Sequence, residues 1–242
     1  MRKINLLEYM NRRMNVSTDK SSDISVGEGP VVTISREAGC PGKKIAALLK
    51  ETLDSMLIQG KWTVISKEIL AQSAQELNLH PDRVRQVIDA EQRYALDEIL
   101  AAFSEKQFKN ENVIRNSVVE VVHAFASRGN CIILGRGGSF IASDIEKSLH
   151  IKLYAPLEWR VQRVMKRKNM THVNALKVVE QIDKERASFR KLIKGKTNVG
   201  NEDYDIIINC ARIGPRKIVS MIIHLMQSKR MLNPADLKHT TL

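Results

Sequence analysis

The chain has 242 residues, 43% of them hydrophobic and 27% charged, enough to bury a substantial core as one large domain or two small ones. Its 39 Lys and Arg outweigh 27 Asp and Glu, for a formal net charge of +12; such a balance favours an anionic partner: nucleotide phosphate, nucleic acid or an acidic membrane surface. No apolar run approaches the roughly 18 residues of a membrane-spanning helix, and Cys40, Cys131 and Cys210 are an odd, scattered set without a Cys or His at metal-ligand spacing, which excludes a bilayer span, a disulfide framework and a zinc site.

Residues 1–30 read as an appendage and linker. Ile4, Leu6, Leu7, Tyr9 and Met10 are interleaved with Glu8, Asn11, Arg12 and Arg13, too polar and short for a signal-peptide core, so a cytoplasmic address is expected. The same segment suits a short amphipathic helix, docked on the protein's own body or a partner in preference to a membrane surface. Ser17-Thr18-Asp19-Lys20-Ser21-Ser22-Asp23 and Gly27-Glu28-Gly29-Pro30 have linker composition.

Val31-Val32-Thr33-Ile34-Ser35 is a β-branched run suited to a buried parallel strand. The turn Gly39-Cys40-Pro41-Gly42 follows, and Ile45, Ala46, Leu48, Leu49 and Leu53 recur at helical spacing over Lys43 to Met56. Trp62 to Ile65 predicts a second strand, and Lys67 to Ala126 is mostly helical, with Pro81 as a helix-start residue. Cys131 to Leu134 predicts a third strand ending in Gly135-Arg136-Gly137-Gly138, and Ile151 to Tyr154 a fourth. Leu157 to Lys194 reads as one long basic helical region, Ile206 to Asn209 as a fifth strand, and Pro215 as the opening of a last helix. Strands alternating with helices predict a parallel α/β sheet of about five strands with helices on both faces, and ligands in such sheets bind beyond the carboxyl ends of the strands.

The segment Ser35 to Lys44 carries the chemistry. A loop that wraps phosphate needs small residues so that backbone N–H groups can converge, a helix N-terminus aimed at the anion, and a cation within reach. Gly39, Gly42 and Lys43 supply these. Against G-x-x-x-x-G-K-[ST], Gly42 and Lys43 fit, Glu37 stands where the first glycine belongs, and Lys44 replaces the hydroxyl that would hold Mg²⁺. A plain strand-to-helix turn with solvated lysines competes evenly on this motif alone. Cys40 in that turn is read as a small filler in preference to a thiol made acidic by a helix N-terminus.

Taken together, Thr33-Ile34-Ser35-Arg36-Glu37 with Gly39 and Gly42, Ile133-Leu134-Gly135-Arg136-Gly137, Tyr154-Ala155-Pro156-Leu157-Glu158-Trp159-Arg160 with Arg163, Asp183-Lys184-Glu185-Arg186, and Tyr204-Asp205 leading to Asn209 resemble the cytidylate kinase-like proteins. These are a divergent branch of the nucleoside-monophosphate kinases within the P-loop NTPases. The resemblance runs from Val31 to about Ile223 and implies a kinase-like domain over 31–228, with a nucleotide-binding helical insertion at 67–126, a lid region at 157–200 and a tail at 229–242.

Within that reading, Gly39, Cys40, Pro41, Gly42, Lys43 and Lys44 bind ATP, with Lys43 on its β- and γ-phosphates and Ser35 and Arg36 on the substrate side. Arg136, at a strand end between glycines, suits a phosphate because its fork donates two parallel hydrogen bonds; the resemblance assigns it the acceptor phosphate, although Gly137 stands where those enzymes carry Asp. Arg160, Arg163 and Arg167 share one helical face, and the resemblance makes them lid arginines over the triphosphate, Arg163 acting on the transferring group. Asp183 is assigned to the acceptor's sugar or base and Arg186 to its phosphate. An intrahelical Asp183–Arg186 pair is the bland alternative, as a solubilising face is for the basic helix. Ser66 and Lys67 depart from the acidic and small residues that related kinases place along the acceptor site.

The function expected is transfer of the γ-phosphoryl of ATP, with Mg²⁺, to a nucleoside monophosphate or similar acceptor. A nucleotide-binding regulator that kept the fold and lost turnover is the alternative, favoured by the missing hydroxyl after Lys43. A nucleic-acid module is disfavoured by the 5% aromatic content, which leaves few stacking platforms.

Overall fold

Val31–Arg36 (β1) alternates its side chains into two cores, Val32 and Ile34 on one face and Val31 on the other, and a strand of this kind is stable only when covered on both sides. The computed structural model, which describes residues 29–57, 61–66, 111–194, 200–232 and 237–238, supplies both covers. Thr63–Ile65 (β2), Cys131–Leu134 (β3), Ser148–Tyr154 (β4) and Ile206–Asn209 (β5) join β1 in a five-stranded sheet of order β2-β3-β1-β4-β5, with every pairing parallel. Val32 of the central strand is level with Ile132 on one side and Leu149 on the other.

The helices are Gly42–Met56 (α1), Glu111–Arg128 (α2), Gly138–Ile141 (α3), Leu157–Lys168 (α4), His172–Lys194 (α5) and Pro215–Ser228 (α6). On one face α1 and α6 press Ile45, Leu49, Leu53, Ile218, Ile222 and Met226 onto the sheet. On the other, α2 and α3 bring Val122, Phe125 and Ile141, with Phe189 and Ile193 of α5 packed against them. The parallel sheet with helices on both faces expected from the sequence is therefore present. Among the described residues no helix is long and apolar enough to cross a membrane. Most of the expected insertion, 67–110, lies outside the described residues, as do the appendage up to residue 28 and positions 195–199 of the expected lid.

Two elements differ from the sequence expectation. The fourth strand starts at Ser148 rather than Ile151; Leu149 points into the core while Ser148 and His150 face the other way, so this stretch alternates instead of forming an apolar run. The basic region expected as one helix is broken at Asn169, whose φ of 49° is left-handed and ends α4; Thr171 then accepts the Asn174 N–H at 3.4 Å at the start of α5. The C-terminal tail meets the body, with Met231 and Leu232 buried and the Lys238 N–H donating to Met56 O at 2.7 Å.

On the α3 and α5 side the face of β4 is polar. His150 Nδ1 lies 2.8 Å from Thr33 Oγ1 and its Nε2 3.2 Å from Ser148 Oγ, while its backbone N–H donates to Asp205 at 2.6 Å. Burial is the main force holding the His150 pKa below its ordinary value, with Lys229 acting the same way and Asp205 opposing. The fold thus disfavours the imidazolium, so the stability it gains from His150 is complete above about pH 6.5 and is lost as pH falls through the unfolded imidazole range. Asp205, held low by the His150 backbone N–H and by Lys229 against the effect of burial, loses its contribution only at more acidic pH. Urea unfolding is expected to show the chain weakening between about pH 7 and pH 5 more steeply than a His150→Gln variant; parallel slopes would rule His150 out as the source.

Candidate functional site

The loop between β1 and α1 lies at the carboxyl edge of the central strand, where side chains and backbone N–H groups can face a ligand. Its two glycines answer two constraints. Gly39 has φ +85° and its missing Cβ leaves room for the Arg160 backbone, which a Cβ would meet at 2.8 Å. Gly42 opens α1 against the Arg36 side chain, where a Cβ would stand 3.2 Å from Arg36 Cγ. Helix α1 has no side-chain cap and no acidic residue in its first turn, and Lys43 and Lys44 are exposed there. The positive end of the helix dipole and two exposed lysines therefore lie together in the first turn of α1.

What holds the loop is a group of charges beneath it. Glu37 Oε2 accepts from the Ala155 N–H at 3.2 Å and lies 3.2 Å from Arg160 Nε. Arg160 Nη1 donates to Ala38 O at 3.3 Å and pairs with Asp183 Oδ2 at 2.5 Å. Asp183 Oδ1 accepts the Ala38 N–H at 2.7 Å. Arg160, on α4, is 8% exposed, so both carboxylates neutralise a guanidinium with little access to water. Glu37 thereby directs its charge into the body and away from the lysines of α1.

The structure separates the three arginines expected on one face. Arg160 is buried under the loop, with its guanidinium engaged by Glu37, Ala38 and Asp183. Arg163 is exposed, donates to Gly39 O at 3.1 Å, and lies over the Trp159 ring at 4.8 Å. Arg167 is exposed in the last turn of α4. Asp183, expected to touch a sugar or base, gives its two oxygens to the Ala38 N–H and Arg160. Arg186, one turn further along α5, donates to Arg36 O at 3.1 Å, so the helix secures both ends of the segment 36–38, Asp183 at Ala38 and Arg186 at Arg36.

The turn after β3 brings further cations to the edge. Gly135, Arg136 and Gly137 have φ of 78°, 59° and 68°, three successive left-handed residues of which only the middle one carries a Cβ. Arg36 lies so close over Gly135 that a Cβ there would clash. Arg136 is 6% exposed with its guanidinium 6.0 Å from the Phe189 ring centroid of α5. Ser35 and Arg36 close β1 itself. Beside the loop, a cleft of about 520 Å³ is lined by Lys43, Lys50, Glu51, Ser66 and Leu134, among others, so Ser66 borders the same cleft as Lys43. Asn209, after β5, accepts the Ala211 N–H at 3.0 Å and shapes the next turn.

Lys44 occupies the hydroxyl position, and among the described residues no group of three His, Cys, Asp or Glu could hold a metal ion. Sequence reasoning gives Glu37 no role at the site beyond its place in the motif, yet its carboxylate holds the loop from beneath. Cys40 is buried in the core cluster, as a small residue filling the turn would be, and its pKa is pushed up rather than down.

The family model described as cytidylate kinase-like matches residues 31–212. A uronate isomerase of Corynebacterium glutamicum is 26% identical over 124 residues, 51% of this chain and 24% of that protein. A cytidylate kinase of Ignicoccus hospitalis is 32% identical over 108 residues, 44% of this chain and 58% of that protein. The chain thus spans less than two thirds of the length of either curated relative. An uncharacterized protein from Eubacterium ventriosum superposes with a TM-score of 0.61 at 22% identity, over 83% of this chain and 99% of that one, a likeness of fold.

Asp183→Ala leaves the Arg160 guanidinium with half of its countercharge and the Ala38 N–H without an acceptor. It is expected to destabilise the chain by about 3 kcal/mol in chemical denaturation, and Asp183→Asn, which keeps an acceptor, by less. A loss below about 1 kcal/mol for the alanine variant would mark the pair as no stronger than a surface ion pair.

Proposed function

The chain belongs to the cytidylate kinase-like family, and from that premise we propose that it is an ATP-dependent phosphotransferase acting on a nucleoside monophosphate or a similar phosphorylated acceptor. The observation that carries this reading is the β1–α1 loop. It presents an uncapped helix start with Lys43 and Lys44 exposed, while its one carboxylate, Glu37, is drawn away by Arg160 and the Ala155 N–H. An anion placed there meets the helix dipole and two ammonium groups with no acidic residue in the first turn.

Phosphoryl transfer asks mainly for in-line positioning and neutralisation of charge on the equatorial oxygens. In this reading the amides at the start of α1 and the Lys43 ammonium hold the β- and γ-phosphates of ATP. Arg163, already bonded to Gly39 O, stands at the loop as the cation for the transferring group. Arg136 and Arg186 hold the acceptor phosphate, supported by Arg36, and the cleft along α1 past Lys43 and Ser66 takes the acceptor's nucleoside part; its volume of about 520 Å³ is that of a small-molecule site. Arg160 and Asp183 act beneath the loop as positioning residues rather than on the phosphates.

Incubation with ATP, Mg²⁺ and a panel of nucleoside monophosphates is expected to yield ADP together with a second diphosphate. Lys43→Ala should lower kcat by at least about a hundredfold while leaving the unfolding midpoint unchanged. ATP-binding without ADP formation on every acceptor of the panel would overturn the phosphotransferase reading.

A further inference from the structure

Two arginines of α4 reach the β1–α1 loop and are held there by opposite means. Arg160 meets the carboxylates of Glu37 and Asp183, so its charge is already cancelled within the protein. Arg163 has no ion pair among the described residues. Its Nε donates to Gly39 O at 3.1 Å, and its guanidinium carbon lies 4.8 Å from the centroid of the Trp159 ring. Glu158, the acidic residue of α4, is engaged elsewhere: it accepts from Gln162 at 2.7 Å and pairs with His172 at 2.9 Å.

The ring beneath Arg163 is itself fixed. Trp159 stands four residues before Arg163, on the same side of the helix, and is partly buried against the core cluster that contains Cys40, Ala155 and Cys210. The negative face of an indole attracts a guanidinium without cancelling its charge. A carboxylate in that place would hold the arginine too, but it would annul the charge that a phosphoryl group needs, as it does at Arg160. With Nε spent on Gly39 O, the Nη edge of Arg163 carries no hydrogen bond among the described residues, and that edge offers the two parallel donors that fit phosphate oxygens. An exposed arginine free to sample its rotamers loses that freedom each time it takes an anion, whereas one already laid on a ring loses less.

We propose that Trp159 is a positioning residue for phosphoryl transfer: its indole face, together with Gly39 O, holds the Arg163 guanidinium at the loop with its charge uncompensated and its Nη edge open to the transferring group. This role rests on the phosphotransferase reading of the loop and adds to it the means by which its cation is held ready. An ordinary contact between helical neighbours would matter for stability alone. The positioning role instead makes turnover depend on the ring, and only while Arg163 is there to be held.

The test measures ADP formation by the intact chain from ATP, Mg²⁺ and the best acceptor of the monophosphate panel. Trp159→Leu is expected to lower kcat about tenfold while KM for ATP changes by less than about threefold, and Trp159→Phe, which keeps a ring face, to recover most of the loss. Arg163→Ala should cost more than Trp159→Leu, and combining the two should add nothing, because the indole acts only through the guanidinium. Should Trp159→Leu fail to fold, fluorinated tryptophans placed at position 159 keep the packing and weaken the negative face of the ring. Along that series kcat should fall stepwise with fluorine content, by about fivefold in all, and should stay flat when Arg163 is alanine. Unchanged kcat in Trp159→Leu, a flat fluorine series in the presence of Arg163, or losses that multiply in the double variant would overturn the proposal and leave the kinase reading standing. A wild type that turns over no acceptor overturns the kinase reading, and the positioning role with it.

Discussion

The Arg160 guanidinium is the point on which the loop depends. Glu37, Ala38 O and Asp183 converge on it, and it is 8% exposed, so its charge must be met within the protein. Asp183 in turn takes the Ala38 N–H. One cation thereby fixes the start of the loop, joins α4 to α5 through their facing side chains, and couples both to the end of β1. Val161 and Val164 of α4 pack with Ala175 and Val179 of α5 and with Ala38, so apolar contact surrounds the ionic one. The guanidinium side of the pair is shielded from water, while its carboxylate partners keep some access to it.

This arrangement resolves a charge problem. A carboxylate at the place of the first glycine would repel phosphate if it faced the helix start. The Arg160 pairing and the Ala155 N–H turn it inward, and the cations that remain outward, Lys43, Lys44 and Arg163, stand at the loop. The net charge of +12 is less informative than this separation, in which acidic groups lie under the loop and basic groups above it. A negative ligand is attracted by the local field, whatever the sum.

Much of the framework was legible because burial writes itself into composition. Val31 to Ile34, Cys131 to Leu134 and Ile206 to Asn209 are apolar runs, and they are strands. The beginning of β4 was not legible, since Ser148 and His150 alternate with Leu149 and face a polar network. The break at Asn169 was hidden among basic residues with good helical spacing, and only a left-handed Asn with Thr171 behind it marks the boundary. Spacing placed Arg160, Arg163 and Arg167 on one face but carries no depth; the structure buries the first and exposes the others. Likewise no pattern brings Asp183 beside Ala38, because that meeting is made by the packing of α4 against α5 and the end of β1.

The account requires an anion on the amides and ammonium groups at the start of α1. A titration of ¹⁵N-labelled chain with ATP, following backbone amide shifts, addresses this most directly. The account predicts the largest shifts at Gly39, Gly42, Lys43 and Lys44, with saturation, and their loss at high salt as exposed charges are screened. Saturating shifts confined to other regions, with the loop amides unmoved, would contradict it.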